Sequence, residues 1–377
     1  MRITRSWTEI LLNFIMAFSS NISENYTNFS NSIKPHNISA TESIYGTYAE
    51  RQILSGVGFV ATFVGLLGNL AVIFAILTVK KLQTKTNVFV LNLAVADVLT
   101  CTVAPLQAVT ILSDELVIPS WLCKLVAFCI ITCIGCSINT LALIAVNRLV
   151  GITTTAMYHK VYTPIRLFLM IVMSWAVPIA VATIPLFSNY AKYGFNPIYK
   201  SCTWSSNMSY IITYAKLISV MYFPLQFTIL FVSYLKIYLY VTRTTQSMLR
   251  LDKYGGTTGL GSQTLQIQLW KRQVTVTKNL FTVVCVFFLC MCPYFATLGL
   301  PSNVGKSLLS YASLVLMSNS AVNPIIYGTK HPDFRTAFAH ILRCKRKKYK
   351  PQTPRTKSGQ NSTTIATISA NLQLQLV

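Results

Sequence analysis

Long apolar stretches recur along the chain, separated by short segments in which charge collects. Seven runs, at about 53–79, 88–112, 121–147, 165–187, 208–240, 274–300 and 306–328, reach the roughly 20 residues that a helix needs to cross some 30 Å of hydrocarbon. Backbone groups in lipid must be paired within their own segment, so each run predicts a membrane-spanning helix. The expected fold class is all-α, a seven-transmembrane-helix bundle over residues 53–328. An N-terminal tail (1–52) precedes it. A short amphipathic eighth helix (329–343) and a basic tail expected to be disordered (344–377) follow it. No linker is long enough for a soluble domain.

Composition agrees: 53% of residues are hydrophobic and only 11% charged, far from the quarter usual in soluble domains. A formal charge of +23 would ordinarily suggest nucleic acid as a partner. Here the basic residues lie between and after the apolar runs, so membrane lipids with anionic headgroups are the expected counter-charge and no nucleic acid is expected. Lys80, Lys81, Lys85, Arg148, Lys160, Arg166, Lys236, Arg243, Arg250, Lys253, Lys271, Arg272 and Lys278 fall on one side of the membrane. Lys124, Lys192, Lys200 and Lys306 fall on the other. Positive residues stay inside, which predicts a multi-pass plasma-membrane protein with its N-terminus extracellular and its C-terminus cytoplasmic.

The polar tail carries four glycosylation sequons, at Asn21, Asn25, Asn28 and Asn37, on the predicted outer side. Arg2 and Arg5 precede the apolar stretch Ile10–Phe18, but Glu9 and Asn13 interrupt the signal-peptide pattern. A cleaved leader and targeting by the first helix both stay open. Of ten cysteines, Cys123 and Cys202 fall at the outer surface, where disulfides persist. Cys129, Cys133 and Cys136 share a face of the third helix and read as packing residues rather than metal ligands. Cys344 follows the amphipathic stretch and precedes Lys345–Lys348, which suits palmitoylation.

Polar side chains in lipid are expensive, so each one is a functional candidate. Asn69 lies on the first helix, Asp97 on the second, and Asn139 and Arg148 on the third. Trp175 and Pro185 follow on the fourth, Pro224 and Tyr234 on the fifth, and Pro293 on the sixth. The seventh holds Asn319, Ser320 and Asn323-Pro324-Ile325-Ile326-Tyr327. From Cys123 to Arg148 is 25 residues, about 37 Å of helix, so the two mark opposite ends of one span. Asn319, Asn323 and Tyr327 recur every four residues and share a face.

In order and spacing these residues resemble the rhodopsin-like (class A) G-protein-coupled receptors over about residues 53–344. The resemblance implies a Cys123–Cys202 disulfide that pins the second outer loop over the ligand entrance. It implies a sodium pocket of Asp97, Ser137, Asn319 and Asn323, with Asp97 the metal ligand and that ion the only cofactor expected. It also implies that Arg148 meets a heterotrimeric G protein when the sixth helix swings outward about Pro293, while Tyr327 turns inward. Arrestin is an expected further partner.

Departures from the pattern concentrate in the switch. The family's usual acid before the arginine is Asn147 here, and the tyrosine after it is Leu149. The tryptophan two residues before the sixth-helix proline is Met291. Gln273 stands where many members carry an acid facing the arginine. With both charge restraints gone, raised basal activity is expected.

The ligand class is narrowed by position. Amine receptors carry an Asp eighteen residues before the arginine, where this chain has Ile130. Opsins carry a retinal-binding lysine seven residues before the seventh-helix proline, where this chain has Met317. An anionic small molecule or lipid, or a small peptide, is left. Lys216, eight residues before Pro224, is either a counter-charge for such a ligand or a side chain snorkelling to the headgroups. Ile130, Ile131, Ile134, Tyr294, Phe295 and Leu298 would form the walls, with Ser313 on the seventh helix. The runs Asn147-Arg-Leu-Val-Gly-Ile and His159-Lys-Val-Tyr-Thr-Pro are similar to the melatonin-like and medium-chain fatty-acid-like receptor cluster. A transporter would show internal repeats, and none is seen. Asp97 is the one carboxylate in the spans and no histidine joins it there, so an enzyme is not expected.

Overall fold

The computed structural model describes residues 44–187, 192–204, 224–254, 260–299 and 302–342. Those residues form nine α-helices and one hairpin: α1 (Tyr48–Thr78), α2 (Lys85–Leu112), α3 (Ser120–Thr153), α4 (Thr155–Val161), α5 (Pro164–Phe187), β1 (Tyr193–Asn196), β2 (Ser201–Trp204), α6 (Pro224–Tyr254), α7 (Leu260–Gly299), α8 (Ser302–Lys330) and α9 (Pro332–Leu342). The seven apolar runs correspond to α1, α2, α3, α5, α6, α7 and α8. Residues 208–223 of the fifth run lie outside the described residues.

Several helices outrun the apolar stretches that announced them. α3 continues to Thr153, α6 to Tyr254, and α7 starts at Leu260. An apolar run ends where lipid ends, but a helix in water closes its own hydrogen bonds and need not stop there. Six described helices are long and apolar enough to cross a membrane. The six do not include α8, whose span is diluted by the buried Asn319, Ser320 and Asn323.

Burial separates a central helix from a peripheral one. In α3, 67% of the spanning window is buried, against 28% in α5. The outward faces are apolar and open: Ile53, Phe63, Phe168, Tyr238 and Leu289 are all more than half exposed. A soluble monomer rarely leaves so much contiguous apolar area uncovered, whereas lipid covers it at no cost. α1 packs against α2 and α8 through small residues. A Cβ on Gly65 would fall 2.6 Å from Cys101 Sγ, and one on Gly68 would fall 2.6 Å from the Pro324 ring. This close approach, which helix pairs in lipid obtain from small residues, brings Asn69 within 2.8 Å of the Ser320 carbonyl.

α9 lies under the end of α8. Phe334 is buried against Tyr327, with ring centroids 5.4 Å apart, and Lys81 pairs with Asp333 at 2.8 Å.

Candidate ligand cavity and switch residues

One end of the bundle is roofed by the β-hairpin. The strands run antiparallel with Phe195 opposite Cys202, and Cys202 is disulfide-bonded to Cys123 at the start of α3. A second tie was not anticipated from sequence. Buried Gln107 on α2 donates from Nε2 to the Cys202 carbonyl and accepts from the Cys202 N–H, both at 2.7 Å. Cys202 is thus fixed covalently to α3 and through both backbone polar groups to α2. The segment before α1 closes over the hairpin turn: Ile44 N–H donates to Ile198 O, and the Tyr45 hydroxyl to Tyr199 O. Asp114 accepts from Arg51 at 2.9 Å and pairs with Lys200 at 3.5 Å. The Arg51 hydrogen bond is the main reason its carboxyl is held below the usual carboxylate range.

Beneath this roof lies a cavity of about 200 Å³. Ile130, Ile131, Ile134, Tyr294, Phe295 and Ser313 all line it. Gln107, Tyr45 and Trp204 line it too, and so does Met291, which sequence had placed only in the switch. Ile130 and Met317, the positions that hold charge in amine receptors and opsins, both face the cavity as apolar groups. Among the described residues no Asp, Glu, Lys, Arg or His lines it. Lys216 lies outside the described residues, and Leu298 belongs to α7 with its side chain outside them.

Asp97 is wholly buried midway along α2. Its Oδ1 accepts from Ser320 Oγ and its Oδ2 from Asn323 Nδ2, each at 2.8 Å. Ser137 and Asn319 are buried on α3 and α8, but the serine that reaches the carboxylate is Ser320 of α8. Hydroxyl and carbonyl oxygens beside a buried carboxylate are the donor set a hard cation needs.

At the far end of α3, Asn147 is fully buried and accepts from Thr86 Oγ1 at 2.6 Å. Its Nδ2 donates to Tyr158 on α4 at 3.4 Å, so this amide joins α2, α3 and α4. Arg148 is half-buried, and its Nε is enclosed without a hydrogen-bond partner among the described residues. The buried hydroxyls of Tyr234 on α6 and Tyr327 on α8 also lack one. Pro293 lies inside α7 and removes a backbone donor there. Gln273 is on α7, with its side chain outside the described residues. The sequons Asn21, Asn25, Asn28 and Asn37, and Cys344, also lie outside them.

The sequence profile described as "7 transmembrane receptor (rhodopsin family)" matches residues 68–327. The chain is 28% identical to the alpha-1D adrenergic receptor of Sus scrofa over 81% of its own length and 60% of that protein. It is 30% identical to melanopsin-B of Xenopus laevis over 75% of its own length and 53% of that protein. The chain therefore spans little more than half the length of these relatives. Its fold matches the crystal structure of squid rhodopsin with a TM-score of 0.70 at 22% identity, covering 83% of this chain and 93% of that one.

Proposed function

The chain belongs to the rhodopsin family of seven-transmembrane receptors, and from that premise we propose that it is a G-protein-coupled receptor for a small, largely apolar extracellular ligand. The observation that carries this reading is the roofed cavity with no charged lining among the described residues. The frame is similar to that of an adrenergic receptor and an opsin. Ile130 and Met317 cannot form an ion pair with an amine or a Schiff base with retinal. The similarity to melatonin-like and medium-chain fatty-acid-like receptors rests on two short runs, and the relatives compared above belong to other branches. A cavity of about 200 Å³ suits a small molecule or a single lipid chain better than a peptide. Lys216, eight residues before Pro224 in the fifth apolar run, supplies the counter-charge for an anionic end group.

Ligand binding under a roof tied to α2 and α3 is relayed past Met291, which touches both the cavity and the core. Outward movement of α7 about Pro293 then frees Arg148 for a heterotrimeric G protein on the cytoplasmic side. Arg148 Nε and the hydroxyls of Tyr234 and Tyr327, which lack a partner among the described residues, support such a rearrangement, since an enclosed unsatisfied group costs about 1–3 kcal/mol and gains by finding a new partner. A sodium ion beside Asp97 favours the resting arrangement. Arrestin binds the same inner face. With Asn147 neutral, no carboxylate restrains Arg148 from the adjacent position, and basal activity is raised.

The test is a ligand-library screen on cells carrying several G-protein biosensors in parallel. Hits concentrated among apolar anions would support the reading. Hits confined to cationic amines or to large peptides would contradict it.

A further inference from the structure

We propose that Asn279 is a positioning residue of the switch: its amide ties the inner half of α7 to the end of α8, and α7 moves outward only when that tie breaks. The proposal rests on the reading above, in which coupling moves α7 about Pro293.

The acceptor arises from the way α8 ends. The last carbonyls of a helix have no partner within it, and the next helix opens on Pro332, which has no N–H to give. The His331 N–H closes on the Tyr327 carbonyl at 3.1 Å. The carbonyl of Lys330, the last residue of α8, accepts from Asn279 Nδ2 at 2.7 Å. The joint that offers this carbonyl is itself held in place. Phe334 stacks on Tyr327, Lys81 engages Asp333, and a Cβ on Gly328 would fall 3.2 Å from the Phe338 ring.

The donor, by contrast, sits on the element that moves. Asn279 lies 14 residues from Pro293, about 21 Å along the helix. A tilt of only about 10° at the proline therefore carries it roughly 4 Å, past hydrogen-bonding reach. Near it α7 buries Leu280, Val283, Val284 and Phe287, and such apolar contacts have no preferred direction. The hydrogen bond to Lys330 is directional and is lost first.

The packing of α7 gives that bond its weight. Among the described residues α7 rests on α8 far more than on α3 or α6. Toward α3 the chain offers Asn147 and Gln273, both amides, in place of acids. A second polar contact, from Trp270 Nε1 to Thr245 Oγ1 at 3.3 Å, joins α7 to α6. It links two helices that can travel together, so it does not oppose the swing away from α8.

The test is double electron–electron resonance on the full chain in lipid nanodiscs. Spin labels are carried by keto-bearing residues in place of the exposed Lys278 on α7 and Lys160 on α4, which leaves the free cysteines unlabelled. N279L keeps the size of the side chain and removes the donor. It should enlarge the longer-distance population about two- to tenfold, the worth of one hydrogen bond. N279Q should restore the wild-type distribution, and T245V should leave it unchanged, with melting temperatures alike in all three. Unchanged distances in N279L would overturn the proposal. An equal shift in T245V would also overturn it, since loss of any polar contact would then loosen α7. Ligand-free nucleotide exchange on G-protein heterotrimers separates this tie from the coupling reading. Longer distances with faster exchange support both, whereas longer distances with no exchange on any class support the tie and contradict the coupling.

Discussion

Lys216 and Asp97 are ionisable residues of different apolar runs, and each has a consequence of its own. The described walls of the cavity carry hydroxyls and the Gln107 amide but no cation, so an anionic end group finds hydrogen bonds there and no counter-charge. Lys216 is the proposed partner, and breaking one side of a buried charge pair commonly costs about 3–5 kcal/mol, a loss of more than a hundredfold. Lys216→Met should therefore weaken an anionic agonist severely at unchanged surface expression, measured by concentration–response. Unchanged potency would return Lys216 to the headgroups. Asp97 should bind sodium, so replacing choline chloride with sodium chloride should raise the melting temperature of the purified chain. At a hundredfold excess over Kd the gain is about 2.7 kcal/mol. Asp97→Asn should abolish that sodium shift, and a shift that survives would contradict the assignment. Asp97 was legible in the sequence because a carboxylate in lipid always needs a reason. Ser320 was named among the polar residues of its span but not placed beside Asp97, because serines in these helices commonly bond their own preceding turn, as Ser313 and Ser318 do to Leu309 and Leu314. Nothing in the sequence says which serine turns away to a partner.

At the scale of elements, hydrophobic runs located the spans but not where the helices stop. The β-hairpin and α4 left no periodic signal, being four and seven residues long and held by contacts with distant residues. The register of the hairpin over the cavity depends on Cys202, and thereby on both Cys123 and Gln107. An amide in an apolar run is the kind of signal that flagged Asn69, and it applied equally to Gln107. Gln107→Leu should leave the disulfide intact but strand the N–H and carbonyl of Cys202, at about 1–3 kcal/mol each. A lowered melting temperature with the Cys123–Cys202 bond still present by mass spectrometry is the expected result. No change in melting would mean that the disulfide alone sets the roof. Cys123→Ser should act more strongly, lowering surface expression, as measured by labelling intact cells.

For the whole molecule, the proposed coupling to G proteins proceeds under a weakened charge restraint. In this chain the arginine's neighbour is an amide bonded to Thr86 and Tyr158, so α2 and α4 are held to α3 while Arg148 gains no counter-ion from it. Asn147 is buried, so the worth of an exposed charge pair, about 0.5–1 kcal/mol, is a lower bound for its missing restraint, and losing two such pairs already shifts a resting equilibrium by about fivefold to thirtyfold. The most direct measurement is ligand-free guanine-nucleotide exchange on purified heterotrimers of each G-protein class, driven by the chain in lipid nanodiscs. Wild type should exceed empty nanodiscs on at least one class, Asn147→Asp should reduce that rate several-fold, and adding Gln273→Glu should reduce it further. Equal rates in wild type and both variants, or no exchange above empty nanodiscs on any class, would contradict the account.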